Sequence, residues 1–117
     1  MSDETQSMTV KKMSKQRASS NKVIAELVVA PFGVGTSLSR YVRESVKELD
    51  GFAGIRVVHT PMSSIIEADS LDQVLEVTKA AHERMFAAGA ERVSTLLRID
   101  DRRDKPRKME DKVNAIE

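Results

Sequence analysis

The chain has 117 residues, with 19 Lys and Arg against 18 Asp and Glu, no cysteine, one Tyr and three Phe. That length allows one domain at most, and the composition excludes disulfides, thiol catalysis, cysteine zinc sites and a membrane span. The near-neutral balance hides an asymmetry: Lys11, Lys12, Lys15, Arg17 and Lys22 oppose only Asp3 and Glu4, so the rest of the chain is net acidic and lacks a general attraction for nucleic acid.

Residues 1–22 scatter Met8, Val10, Met13 and Ala18 through polar sequence with no strand or helix period. Such a stretch buries too little apolar area to offset its ordering entropy. It reads as a disordered tail, and it lacks the apolar segment of a secretory signal, so the expected location is cytoplasmic. The domain is expected over 23–117.

"VIAELVVA", Val23 to Ala30, is rich in β-formers and ends at Pro31, which makes it the first strand. "PFGVGTS" is a turn-forming loop, with Ser37 as the expected N-cap of the next helix. Leu38, Tyr41, Val42, Val46 and Leu49 then mark one helical face that closes at Asp50-Gly51. "IRVVHT" and "SSIIEA" are the second and third strands, parted by Pro61. Ser70 opens a long helix through a capping box with Gln73. Its expected inward stripe is Leu71, Val74, Leu75, Thr78, Ala81, Met85 and Phe86, and Gly89 sits where a left-handed C-cap belongs. "RVSTLLRID" is the fourth strand, and residues 107–116 predict a short final helix with Met109, Val113 and Ile116 inward.

Strand, helix, strand, strand, helix, strand predicts a ferredoxin-like α+β fold, with two helices on one face of a four-stranded antiparallel sheet. On the first strand Ala25, Leu27 and Val29 should face the helices, leaving Ile24, Glu26 and Val28 on the outer face. On the last, Val93, Thr95, Leu97 and Ile99 face in and Ser94, Leu96, Arg98 and Asp100 face out, with Glu26 near Arg98. An outer face bearing Ile24, Val28 and Leu96 calls for cover by another subunit.

Several motifs could carry chemistry. Gly33 and Gly35, with hydroxyls at Thr36, Ser37 and Ser39, could hold an anion, but neither a dinucleotide fingerprint nor a P-loop is completed. His59 and His82 are the only histidines; Glu67 or Asp69 would have to complete a metal site, without motif spacing, so no metal and no His-based triad is expected. Glu67 and Asp69 share one strand face and could serve as acid and base, although Asp69 also suits a helix N-terminus. From Arg98 to Lys112 there are seven basic and five acidic residues and no aromatic, which disfavours base stacking and therefore a nucleic-acid platform. Alternating sign suits an ion-pair network, and the planar forks of Arg98, Arg102 and Arg103 suit carboxylates across a subunit boundary. Glu26, Arg98, Asp100, Asp101, Arg102, Arg103 and Asp104 are the assembly candidates.

"AELVVAPFGVGTSLSRYV", "TPMSSIIEAD", "AAHERMFAAGAERV" and above all "RIDDRRDKP" together resemble the thiamine-binding protein family, the small single-domain members of the YkoF-like superfamily. The resemblance covers Val23 to Glu117. It implies the ferredoxin-like fold, a homotetramer built as a dimer of dimers, and reversible binding of thiamine or its hydroxymethylpyrimidine half, without catalysis and without a cofactor. Met62-Ser63-Ser64 stands where such proteins usually carry Met-Gly-Thr, and Ala68 where a Gly follows the glutamate. An aminopyrimidine presents an amino donor beside a ring-nitrogen acceptor, which Glu67, nearby hydroxyls and apolar walls could match. The ligand-binding candidates are Thr36, Ser37, Ser39, Thr60, Met62, Ser63, Glu67 and Arg98.

The leading expectation is therefore a non-catalytic carrier or sensor for thiamine or its pyrimidine precursor, with no nucleic-acid or membrane partner. A structural or regulatory interaction module without a small ligand is the alternative. A small phosphate- or acyl-ester hydrolase, using the Gly33-to-Thr36 loop and Arg98, is the third reading.

Overall fold

The structure is a computed structural model that describes residues 21–106 and 108–116. The tail expected over 1–22 lies outside these residues as far as residue 20. Asn21 is buried, and Lys22 pairs with Asp69 at the end of the sheet.

The elements are β1 (Val23–Phe32), α1 (Ser39–Gly51), β2 (Ile55–His59), β3 (Ser64–Ala68), α2 (Leu71–Ala87), β4 (Arg92–Asp101) and α3 (Met109–Asn114). The strands form one antiparallel sheet in the order β2-β3-β1-β4. This is the ferredoxin-like α+β arrangement. Strand alternation sends Val23, Ala25 and Leu27 of β1 and Ile66 and Ala68 of β3 into the helical layer, where they meet Leu49 of α1 and Val74, Val77 and Ala81 of α2.

The helices depart from the expected stripes in instructive ways. The inward line of α2 is Val74, Val77, Ala81 and Met85, while Leu75 and Phe86 are 48% and 40% exposed. Val74, Ala81 and Met85 lie inward as expected, and Val77 rather than Leu75 or Phe86 completes the line, with the small Ala81 letting α1 approach. Ser45 of α1 is buried at that contact and donates its hydroxyl to the Ala81 carbonyl at 3.4 Å. Ser45 and Leu49, rather than Val42, are therefore the buried residues of α1. The N-cap of α1 is Leu38, with no side-chain cap hydrogen bond, and not Ser37.

At its start α2 follows β3, and near its end His82 Nδ1 lies 2.6 Å from Thr95 Oγ1 of β4. The helix thus crosses the sheet diagonally. Leu97 packs on the core, but Ile99, expected inward, lies past the cover of α2 and is 38% exposed.

Register fixes the outer face in rows. Arg56, Glu67, Ile24 and Asp100 form one row, and Val58, Ile65, Glu26 and Arg98 form the next. Val28 stands opposite Leu96 beyond them. The final helix α3 folds over the first row and covers Ile24 within the chain, a task expected of another subunit. Met109 faces the sheet, whereas Val113 is half exposed and Ile116, expected inward, is almost wholly exposed because the helix has already ended. Among the described residues no helix is long and apolar enough to cross a membrane.

Candidate functional site

Between the outer face and α3 lies a cavity of about 660 Å³, within the range of small-molecule sites. Its floor is the second row of the sheet: Val58, Ile65, Glu26 and Arg98, with Ile24 beside them. Met109, Glu110, Lys112, Val113 and Asn114 of α3 supply the opposite wall, and Thr60 closes one end.

The wall is held by charge. Arg56 reaches two carboxylates at once, with Nη2 2.9 Å from Glu67 Oε2 and 2.6 Å from Glu110 Oε1. Its Nη1 donates to Glu110 Oε2 at 2.6 Å, so the Arg56–Glu110 pair is a two-pronged one. The Arg56 guanidinium holds the Glu110 carboxyl down at about 2, and the two carboxylates raise the pKa of Arg56 in turn. Glu67, largely buried, also accepts the backbone N–H of Met109 at 2.8 Å, which anchors the first turn of α3. Lys112 pairs with Asp100 at the far side.

The turn between β2 and β3 is built around Thr60. Its hydroxyl donates to the Ser63 carbonyl at 2.9 Å and accepts the backbone N–H groups of Met62 and Ser63 at 3.2 and 3.0 Å. This holds Ser63 so that its own hydroxyl donates to Glu26 Oε2 at 2.9 Å. Glu26 and Arg98 are directly opposite across the β1–β4 pair, as expected, yet no ion pair joins them. Among the described residues Arg98 has no hydrogen-bond or ion-pair partner. The floor therefore presents a carboxylate and a guanidinium side by side, set in aliphatic surface.

Of the candidate ligand residues, Thr60 and Arg98 line the cavity. Ser63 reaches it through Glu26, and Glu67 sits under its wall, committed to Arg56 and Met109. Met62 is at the exposed tip of the β2–β3 turn. Thr36, Ser37 and Ser39 lie exposed between β1 and the first turn of α1, outside the cavity. Of the assembly candidates, Glu26, Arg98 and Asp100 line the cavity, while Arg102 pairs with Asp104 at 2.6 Å and Arg103 with Asp101 at 2.7 Å. Ile65, Val58, Glu110 and Lys112 were not among the candidates. Strand parity points to the first two; the last two depend on where α3 folds.

Asp50, His59 and Ser64 make a line on the other side of the sheet, with His59 Nε2 2.9 Å from Asp50 Oδ1 and Nδ1 2.9 Å from Ser64 Oγ. None of the three lines the cavity, and the contacts tie the end of α1 to the β2–β3 edge. Among the described residues no group of three or more His, Asp or Glu is placed to hold a metal ion.

The family model described as thiamine-binding protein matches residues 25–117. The chain belongs to the thiamine-binding protein family. It is 44% identical over 95 residues to a UPF0045 protein of Methanothermobacter thermautotrophicus, covering 80% of this chain and 95% of that one. A UPF0045 protein of Staphylococcus xylosus is 45% identical over 98 residues, covering 80% of this chain and 91% of its own length. The crystal structure of a hypothetical protein from Methanocaldococcus jannaschii superposes with a TM-score of 0.75 at 33% identity, over 82% of this chain and 96% of that one. The matched span includes the strands that build the floor and the helix that walls the cavity.

Proposed function

We propose that this chain is a non-catalytic binding protein for thiamine or its hydroxymethylpyrimidine moiety, and that the ligand ring lies in the cavity between the outer sheet face and α3. One observation carries the reading: Glu26 and Arg98 stand opposite each other on an aliphatic floor without pairing. Two neighbouring opposite charges that leave each other's hydrogen-bonding capacity open suit a ligand with an adjacent donor and acceptor. An aminopyrimidine has both, its amino N–H for the Glu26 carboxylate and a ring nitrogen for the Arg98 guanidinium. Ile24, Ile65 and Val58 offer apolar surface to the ring. Family membership supports the same class of ligand.

Calorimetric titration with thiamine and with hydroxymethylpyrimidine tests this. Saturable binding is expected, weakened at least tenfold in Arg98→Ala and in Glu26→Gln. No heat and no thermal shift with either compound at millimolar concentration would overturn it.

The same reading includes self-association as a homotetramer. Leu96 is 65% exposed and sits opposite Val28 on the part of the outer face that α3 leaves open. A second copy laid on that patch would bury it.

A further inference from the structure

A second, smaller cavity of about 320 Å³ adjoins the first, and Ile24, Asp100 and Lys112 line both. Its remaining walls are Lys22, Arg102 and Ala115. Val23 pairs with Asp101 in the β1–β4 register, so Lys22 just before β1 and Arg102 just after β4 flank the same end of the sheet. Lys112 comes from α3 on the opposite side. Three cations from three separate segments thus face one space that contains a single carboxylate, Asp100.

Each cation has a resting partner: Lys22 has Asp69, Arg102 has Asp104 and Lys112 has Asp100. Asp69 and Asp104 lie outside the cavity lining and are more than half exposed. Exposed pairs of this kind contribute little, so turning Lys22 and Arg102 toward a better anion costs little. A phosphoryl dianion offers each of them stronger charge-assisted hydrogen bonds than a solvated carboxylate does.

We infer that the second cavity receives the phosphoryl group of a phosphate monoester whose heteroaromatic ring occupies the main cavity. The inference rests on the ring site proposed above, and it names the phosphorylated form of the ligand as the preferred one. Lys22 and Arg102 grip the phosphoryl oxygens, while Lys112 stands at the junction of the two spaces.

The test is calorimetry with four kinds of probe: inorganic phosphate, thiamine, hydroxymethylpyrimidine, and the monophosphates of the last two. The monophosphates are expected to bind at least tenfold more tightly than their parents. Lys22→Gln and Arg102→Gln should each remove most of that increment while changing the affinity of the parents less than twofold. A monophosphate that binds no more tightly than its parent overturns the inference and leaves the ring site standing. An increment that survives both substitutions overturns it as well. Inorganic phosphate binding as tightly as the esters would make the second cavity an independent anion site and sever it from the ring. Absence of binding by parents and esters alike would overturn both readings.

Discussion

Arg56 is shared between two carboxylates that do different work. Glu67 is largely buried in the sheet and holds the first backbone N–H of α3, whereas Glu110 belongs to α3 and is nearly half exposed. The guanidinium between them is one of the ties that attach the helix to the sheet, beside Glu67 to the Met109 N–H and Lys112 to Asp100. Arg56 lowers the Glu110 pKa from an ordinary 4.5 to about 2. A carboxyl group whose pKa is lowered on folding contributes stability that is present above its unfolded value and lost as pH falls through the folded one. The Arg56–Glu110 share of the attachment of α3 is therefore complete at neutral pH and is lost as the pH drops from about 4.5 toward 2. Thermal melts across that range should show a wild-type decline that is shallower in Glu110→Gln, which also starts from a lower stability at pH 7. Parallel curves for the two proteins would mean that the Arg56–Glu110 pair does not hold the helix.

α2 is the most completely specified element of the domain. Ser70 accepts the backbone N–H of Gln73 at 3.2 Å, and the Gln73 side chain accepts that of Ser70 at 3.0 Å. Its C-terminus closes with Gly89 at φ +113°, its N–H on the Phe86 carbonyl, and with the Ala90 N–H on Met85. Only glycine adopts that backbone conformation without strain. α1 has no comparable start, since Leu38 offers no side-chain acceptor. Ser70→Ala should thus cost about 1 kcal/mol of unfolding free energy. Ser37→Ala should stay within about 0.5 kcal/mol of wild type. Urea denaturation with unchanged slope reads both; equal losses would contradict this assignment of the caps.

At the scale of the whole molecule, the outer face of the sheet is divided. α3 covers the end carrying Ile24 and encloses the cavity, while Val28 and Leu96 are left at the other end. The charges of 100–104 are largely paired inside the chain, so they are not left over to supply the affinity between copies. Apolar contact would then supply most of the affinity between copies, with the charges setting orientation. Light scattering should give a tetramer for the wild type and a smaller species for Leu96→Glu, with moderate salt leaving the tetramer intact. A monomeric wild type at micromolar concentration, or a tetramer indifferent to Leu96→Glu, would remove this face from the assembly.

The order of the elements, the antiparallel sheet and the placing of Glu26 opposite Arg98 were legible in the sequence because they depend on local periods and on strand parity. Ala25 and Leu27 must share a face whatever else the chain does, and Ser70 with Gln73 marks a helix start within four residues. On α2 the inward places of Val74, Ala81 and Met85 were legible, but Val77 in place of Leu75 and Phe86 was not. That choice turns on where α1 sits against α2, through contacts such as Ser45 to Ala81 between residues far apart in the chain. The cavity was not legible either. Its wall exists because α3 returns over the outer face, held by Arg56 to Glu67 and Glu110 and by Lys112 to Asp100. Ion pairs across such sequence distances leave no period to read, since a charged residue looks the same in sequence whether water or a distant partner faces it. Sequence alone thus determined the scaffold and two of the polar groups on its outer face; the tertiary structure decided that those groups line a cavity.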